Sequence, residues 1–277
     1  MLTIRSVLSA CAIAVLSGIA GAQGTPTGYT WRHDVPYRTP EEHASDGYLD
    51  AQCRVDLQIP EGIEGFPTIV WLHAGGLTGG DEWVPEALQQ KGIAVVGVGY
   101  RLSPRVEARV CIEDAAAAVA WVLDHCEEWG GDPEKVVVSG HSAGGYLASM
   151  VGLDPSWLEP FGHHPHELAG LAPVSGHTIT HFTVRAERGL SGTDVVVDGL
   201  APIAHLDPEA PPIYLITAGR DTELLGRYEE NAYFWRMMRE VGHPDCTITE
   251  IEHTDHGSVV EPALPLVLQF TRRVTGG

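Results

Sequence analysis

Ser142 sits in the pattern Gly140-His141-Ser142-Ala143-Gly144, with Gly145 behind it. A serine hydroxyl becomes a useful nucleophile only when a base removes its proton, and the usual base is an imidazole oriented by a carboxylate. Two distant stretches could supply these groups. "LITAGRDTE" places Asp221 just past an apolar run, and "EIEHTDHGS" carries His253 and His256 near the C-terminus. His256 is the preferred base, because Gly257 follows it and leaves room for the ring, whereas His253 abuts the preceding apolar segment. Asp221 is the expected orienting acid. Asp255 is a weaker rival, since adjacent side chains diverge, and Glu223 reads as a charge in the first turn of a helix.

Attack on a carbonyl would also need donors for the negative oxygen that forms. "WLHAGGLTGG" provides Gly75 and Gly76, whose backbone N–H groups can approach an anion without obstruction by side chains. The N–H of Ala143, at the head of the helix after Ser142, is the third expected donor. Leu77 and Trp83 follow the glycine pair and are candidate walls of a substrate pocket, as is His141 beside the nucleophile.

These groups need a scaffold that brings them to one rim. From about Asp50 onward, strand-like and helix-like segments alternate. "CRVDLQIP", "PTIVWLH", "IAVVGVGY", "KVVVS", "LAGLAPVSG", "PPIYLITAG" and "CTITEIE" read as strands, several of them continuous apolar runs suited to burial on both faces. Helices are expected over 85–90, 107–129, 143–152, 222–241 and 262–274. The alternation predicts an α/β fold with one doubly wound, mostly parallel sheet, and ligands of such sheets bind beyond the carboxyl ends of the strands. All the candidate groups fall in those loops. Residues 177–204 form a connection long enough to serve as a lid or substrate wall.

A tight turn from strand to helix also explains the small residues around Ser142. The serine must take strained backbone angles, and its neighbours two before and two after must be small to avoid collision.

Composition limits the remaining classes. The 277 residues, 44% of them apolar, are ample for one large core, and the net charge of −20 disfavours nucleic acid and anionic lipid as partners. Arg5, an apolar run over 6–19 and Ala20-Gly21-Ala22 resemble a secretory signal cleaved after Ala22, which predicts a secreted or periplasmic protein with no membrane span. Cys53, Cys111, Cys126 and Cys246 are equally compatible with buried thiols and with two bridges, though Cys111 and Cys126 share one expected helix and should not pair. "GHHPHE" over 162–167 is rich in histidine, but Pro165 interrupts any helical spacing and no metal is expected there.

Taken together, "HAGG", "YRLSP", "EDAAAAVAWV" and "GGDPEKVVVSGHSAGGYLA" resemble the α/β-hydrolase fold, and its hormone-sensitive-lipase-like esterases in particular. His141, where that group usually has Asp, brings the chain nearer the bifunctional feruloyl and acetyl-xylan esterases. Ala74 replaces the first glycine of the HGGG motif, while Gly75 and Gly76 keep the donor positions. The order serine, acid, histidine is that of the fold.

The resemblance implies a hydrolase domain over 23–277 and a cofactor-independent serine esterase. It would deacylate plant polysaccharides or small short-chain esters through an acyl-enzyme. A serine peptidase of the same fold and a catalytically silent binding protein are the competing readings.

Overall fold

The computed structural model describes residues 24–277, so the expected signal segment over 1–22 lies outside the described residues. In chain order the elements are β1 (Gly28–Pro36), α1 (Pro40–Ser45), α2 (Gly47–Gln52), β2 (Arg54–Glu61), β3 (Phe66–Leu72), β4 (Ala94–Val98) and α3 (Ala108–His125), then β5 (Gly131–His141), α4 (Ala143–Leu153), β6 (Gly170–Val174), α5 (Phe182–Glu187), β7 (Ile213–Ala218), α6 (Arg227–Glu240), β8 (Cys246–Ile251) and α7 (Val260–Thr275). The strands form one sheet of order β1-β2-β4-β3-β5-β6-β7-β8. From β4 to β8 all neighbours are parallel, while β1 and β2 run antiparallel at one edge. This is the α/β-hydrolase fold.

The continuous apolar runs form the centre of the sheet because helices cover both faces. Every residue of β3 and β4 is buried. One apolar layer joins the sheet to α3, α4 and α6 through residues such as Ile112, Val119, Leu147 and Phe234. The other joins it to α7 through Leu264, Val267 and Phe270.

β3 is flanked by β4 on one side and β5 on the other, so the chain leaves its carboxyl end in a crevice at the reversal of strand order. There Leu72 pairs with Gly140, which sets the Gly75–Gly76 loop directly beside the turn at Ser142.

Several boundaries differ from the sequence reading. The segment expected as a helix over 85–90 is a single 3₁₀ turn, Glu86–Leu88. The helix expected from residue 222 begins at Arg227, after a separate turn. β1 was not anticipated, because its residues are mostly exposed and lack an alternating apolar face. The 177–204 connection contains α5, whose Thr183, Val184 and Arg185 are buried, as are His177, Thr178, Thr180 and His181 before it, while residues 187–195 are exposed. Among the described residues Cys53, Cys111, Cys126 and Cys246 are free buried thiols. Burial pushes Cys53, Cys111 and Cys246 up to about 12, which makes them inert.

One polar knot ties α3 to the loop after β4. Asp114 has no exposed surface and accepts from Arg38 Nη2 at 2.7 Å, and from Arg101 Nε at 2.8 Å, Nη2 at 2.7 Å and the backbone N–H at 3.1 Å. Removing the carboxylate would leave two largely buried guanidinium groups without it. We expect Asp114→Ala to lower unfolding stability by about 3–5 kcal/mol, read as a fall in the urea midpoint; an unchanged midpoint would show that the knot contributes nothing.

Candidate active site

Ser142 occupies φ 57°, ψ −112°, a conformation that non-glycine residues rarely adopt and that costs on the order of 1–3 kcal/mol. The crowding around it explains its glycine neighbours. A Cβ on Gly144 would lie 1.9 Å from the Leu72 carbonyl oxygen, and one on Gly140 would lie 2.5 Å from the same atom. The turn is held by the Ser142 N–H donating to the Val174 carbonyl at 2.8 Å and by the Tyr146 N–H donating to the Ser142 carbonyl at 3.0 Å. Its result is a hydroxyl raised above the carboxyl end of β5 at the head of α4.

His256 reaches that hydroxyl. Its Nε2 lies 2.8 Å from Ser142 Oγ, and its Nδ1 lies 2.6 Å from Glu223 Oε1. Glu223, not the expected Asp221, therefore faces the imidazole. The reason is the turn after β7. The N–H groups of Thr222 and Glu223 both donate to the Gly219 carbonyl, so the chain curls back and returns residue 223 over the strand end. Asp221 lies on the outside of that turn, exposed, in a surface depression with Arg220, Glu250 and His253.

The Glu223 carboxylate is fully buried and heavily solvated by the protein. Ser175 Oγ donates to Oε2 at 2.6 Å, the Ala218 N–H donates to the same oxygen at 3.0 Å, and the Leu224 N–H donates to Oε1 at 2.7 Å. Burial opposes its ionisation, but the hydrogen bonds from His256, Ser175 and the Leu224 amide outweigh it and bring the carboxyl down to about 2. A helix start placed at residue 222 hid this role. Residue 223 is instead extended, with φ −69° and ψ 149°.

The other candidates divide clearly. Asp255 is occupied by its own turn, accepting from the Gly257 and Ser258 N–H groups at 3.0 and 2.8 Å. His253 is exposed, at φ 62°. His141, expected to contact substrate, donates from Nε2 to the His256 carbonyl at 2.8 Å and thereby anchors the loop that carries His256.

Gly75 and Gly76 have φ values of 115° and 64°, and a Cβ on Gly75 would lie 1.9 Å from the Gly79 carbonyl oxygen. Their N–H groups have no acceptor among the described residues, and neither has the N–H of Ala143 within α4. The loop is braced from both sides. His73 stacks on Tyr100 at 4.0 Å, Tyr100 donates to the His73 carbonyl at 2.8 Å, and Thr183 Oγ1 donates to the Gly76 carbonyl.

Leu77, expected as a pocket wall, is sealed in the apolar core with no exposed surface. Trp83, expected to do the same, packs edge-on to Trp71 with centroids 6.1 Å apart and is 42% exposed. The structure gives neither a contact with Ser142 or His256: Leu77 belongs to the core and Trp83 to the packing on Trp71.

In the histidine-rich stretch, His163 bonds Glu167 and Asp124 at 2.9 and 3.1 Å, and His166 bonds Asp207 at 3.0 Å. Among the described residues no group of three or more His, Cys, Asp or Glu side chains is arranged to hold a metal.

The histidines around the site carry a consequence for stability. Burial, ahead of every other influence, pushes both His73 and His141 down to about 4, so each stays neutral in the fold. In the unfolded chain each takes up a proton near 6.5. Between those values the unfolded state binds more protons. Stability is therefore full above pH 6.5 and is lost as pH falls toward 4, at about 1.4 kcal/mol per pH unit for each ring. We expect urea unfolding to show a loss of about 5 kcal/mol from these two rings between pH 6.5 and 4.5. His141→Asn, which keeps an N–H donor for the His256 carbonyl, should remove about half of it. A flat profile would mean that the rings titrate freely in the fold.

Comparison with known proteins agrees with this fold. The BD-FAE family model matches residues 55–160. Over 252 residues the chain is 25% identical to the probable carboxylic ester hydrolase LipM of Mycobacterium tuberculosis, covering 82% of this chain and 56% of that one. Over 111 residues it is 37% identical to the carboxylesterase NlhH of the same organism, covering 38% and 34%. The chain thus spans about half the length, or less, of these curated relatives. Among solved structures, a truncated carbohydrate esterase from gut microbiota superposes with a TM-score of 0.69 at 15% identity, covering 91% of this chain and 98% of that one. Esterase 2 of Thermogutta terrifontis gives 0.68 at 22% identity, covering 80% and 90%. The chain carries the α/β-hydrolase fold and resembles the ester hydrolases built on it.

Proposed function

We propose that this α/β-hydrolase-fold chain is a serine carboxylic ester hydrolase. The observation that carries the reading is the hydrogen-bonded series Glu223–His256–Ser142, with links of 2.6 and 2.8 Å, set beside amides with no acceptor. His256 Nε2 takes the Ser142 proton as Oγ attacks the ester carbonyl. The N–H groups of Gly75, Gly76 and Ala143 receive the oxyanion. His256 then protonates the departing alcohol, leaving an acyl-serine, and a water activated by the same imidazole releases the acid. Glu223, ionised down to about pH 2, holds His256 in the tautomer with Nδ1–H and stabilises its cationic form. No step calls for a metal or an organic cofactor.

Further support bears on substrate and location. The N-terminal Arg5, apolar run and Ala20-Gly21-Ala22 favour export. Likeness to feruloyl and acetyl-xylan esterases at "GHSAGG", and in fold to a carbohydrate esterase, favours an acyl group carried on a sugar or polysaccharide hydroxyl. The burial behind Ser142, which is itself 6% exposed, favours a short acyl group. Residues 177–185, almost all buried, contribute the wall on that side.

Purified protein should hydrolyse p-nitrophenyl esters from acetate to butyrate. Ser142→Ala should lower kcat by about 10⁴-fold or more; equal rates for the two proteins would end the catalytic reading. Glu223→Ala should lower kcat/KM by about 10³- to 10⁴-fold, while Asp221→Ala, at an exposed site, should stay within about twofold of the parent. The reverse ranking would return the acid role to Asp221.

A further inference from the structure

Ser142 has a second polar neighbour that the proton relay leaves unused. Arg227, the first residue of α6, has no exposed surface. Its Nη1 donates to Ser142 Oγ at 3.2 Å and to the Ser175 carbonyl at 2.6 Å. Its Nε and Nη2 are buried and have no acceptor among the described residues. The nearby carboxylates are committed elsewhere: Glu223 to His256, and Glu230 to His177 Nδ1 at 2.9 Å and the Thr178 N–H at 3.1 Å. A buried guanidinium with idle donors is costly, and an anion that enters with the substrate would offset that cost.

The wall around Arg227 has the same character. His181 Nδ1 accepts from the Thr183 N–H at 3.1 Å, so the neutral ring carries its proton on Nε2, and that N–H is buried without an acceptor. Phe182 joins the two groups, its ring 4.3 Å from that of His181 and 5.8 Å from the Arg227 guanidinium carbon. Arg185 adds a second positive charge, 2% exposed. Burial first, and then the charges of Arg227 and Arg185, hold His177 down, to about 2.

Orientation assigns this side of the serine to the acyl group. The departing alcohol must take its proton from His256, whose side chain is 20% exposed, so it leaves toward solvent. The Arg227 side is lined by His177, His181 and Tyr146, none with exposed surface, which favours a short acyl group there.

We propose that Arg227, with the Nε2–H of His181 near it, forms an anion-receiving acyl subsite, and that the preferred substrates are half-esters of short dicarboxylic acids. The free carboxylate would take the idle guanidinium donors, while the ester carbonyl lies over Ser142. The inference rests on Ser142 being an ester-cleaving nucleophile and specifies the acyl group it receives.

The test compares monoethyl succinate with ethyl butyrate, which share an alcohol and an acyl length, by pH-stat kinetics on the parent protein and Arg227→Met. The parent should show kcat/KM higher for the half-ester by about 10- to 100-fold, the range of a charge-assisted hydrogen bond. In Arg227→Met that preference should collapse, whatever happens to the butyrate rate. A parent that favours butyrate or treats the two alike overturns the proposal, and so does a preference that survives in the variant.

If Arg227→Met does not fold, free succinate on the parent protein decides. It should raise Tm where butyrate at equal concentration does not, and equal effects of the two acids overturn the proposal. Failure of the ester-hydrolase reading would look different: neither ester would be cleaved faster by the parent than by Ser142→Ala.

Discussion

The site depends on a turn too tight to admit a side chain on either side of Ser142. Gly140 and Gly144 both crowd the Leu72 carbonyl, so the end of β5, the start of α4 and the loop after β3 are locked together at one point. Once β3 and β5 are neighbours, the amides of Gly75 and Gly76 and the hydroxyl of Ser142 come to the same rim. The strain at Ser142 is held by the sheet beneath it, where β3 is buried throughout and β5 is buried from Val136 to His141. The geometry of the candidate site is here a property of strand order, with the loops supplying the chemical groups.

Around this rim the protein replaces water with fixed dipoles. Glu223 is solvated by a hydroxyl, two amides and an imidazole, which keeps a fully buried carboxylate charged. His141 is kept neutral and spends its one N–H on the His256 carbonyl, so the base is held through its backbone as well as through its ring. Arg227 breaks the pattern. It is a cation beside Ser142 with donors left over, and the His181 Nε2–H in the same wall is left over with it. Sites that violate the rule of satisfied burial are where ligands are expected.

The strands were legible because burial on both faces demands continuous apolar, β-branched runs, and "PTIVWLH", "IAVVGVGY" and "PPIYLITAG" all correspond to strands of the sheet. The turn at Ser142 was legible because its steric demand leaves a mark in the adjacent letters. β1 was illegible because an exposed edge strand needs no apolar pattern. Leu77 lies in the core because proximity along the chain says nothing about direction once a loop bends at glycines with positive φ.

By itself, then, the sequence determined the layered fold, marked Ser142 as the candidate nucleophile and pointed to the rim to which the histidine loop must come. These follow from local rules: the period of apolar residues and the small residues a tight turn requires. Only the tertiary structure decided between Asp221 and Glu223, because two acids two residues apart differ in nothing but the curl of the turn after β7. It alone brought Arg227 to Ser142, 85 residues away, since a buried arginine near the start of an ordinary helix has no signature until the helix is packed against the site. Local patterns are written in neighbouring letters; partnerships across the sheet exist only after the chain has folded.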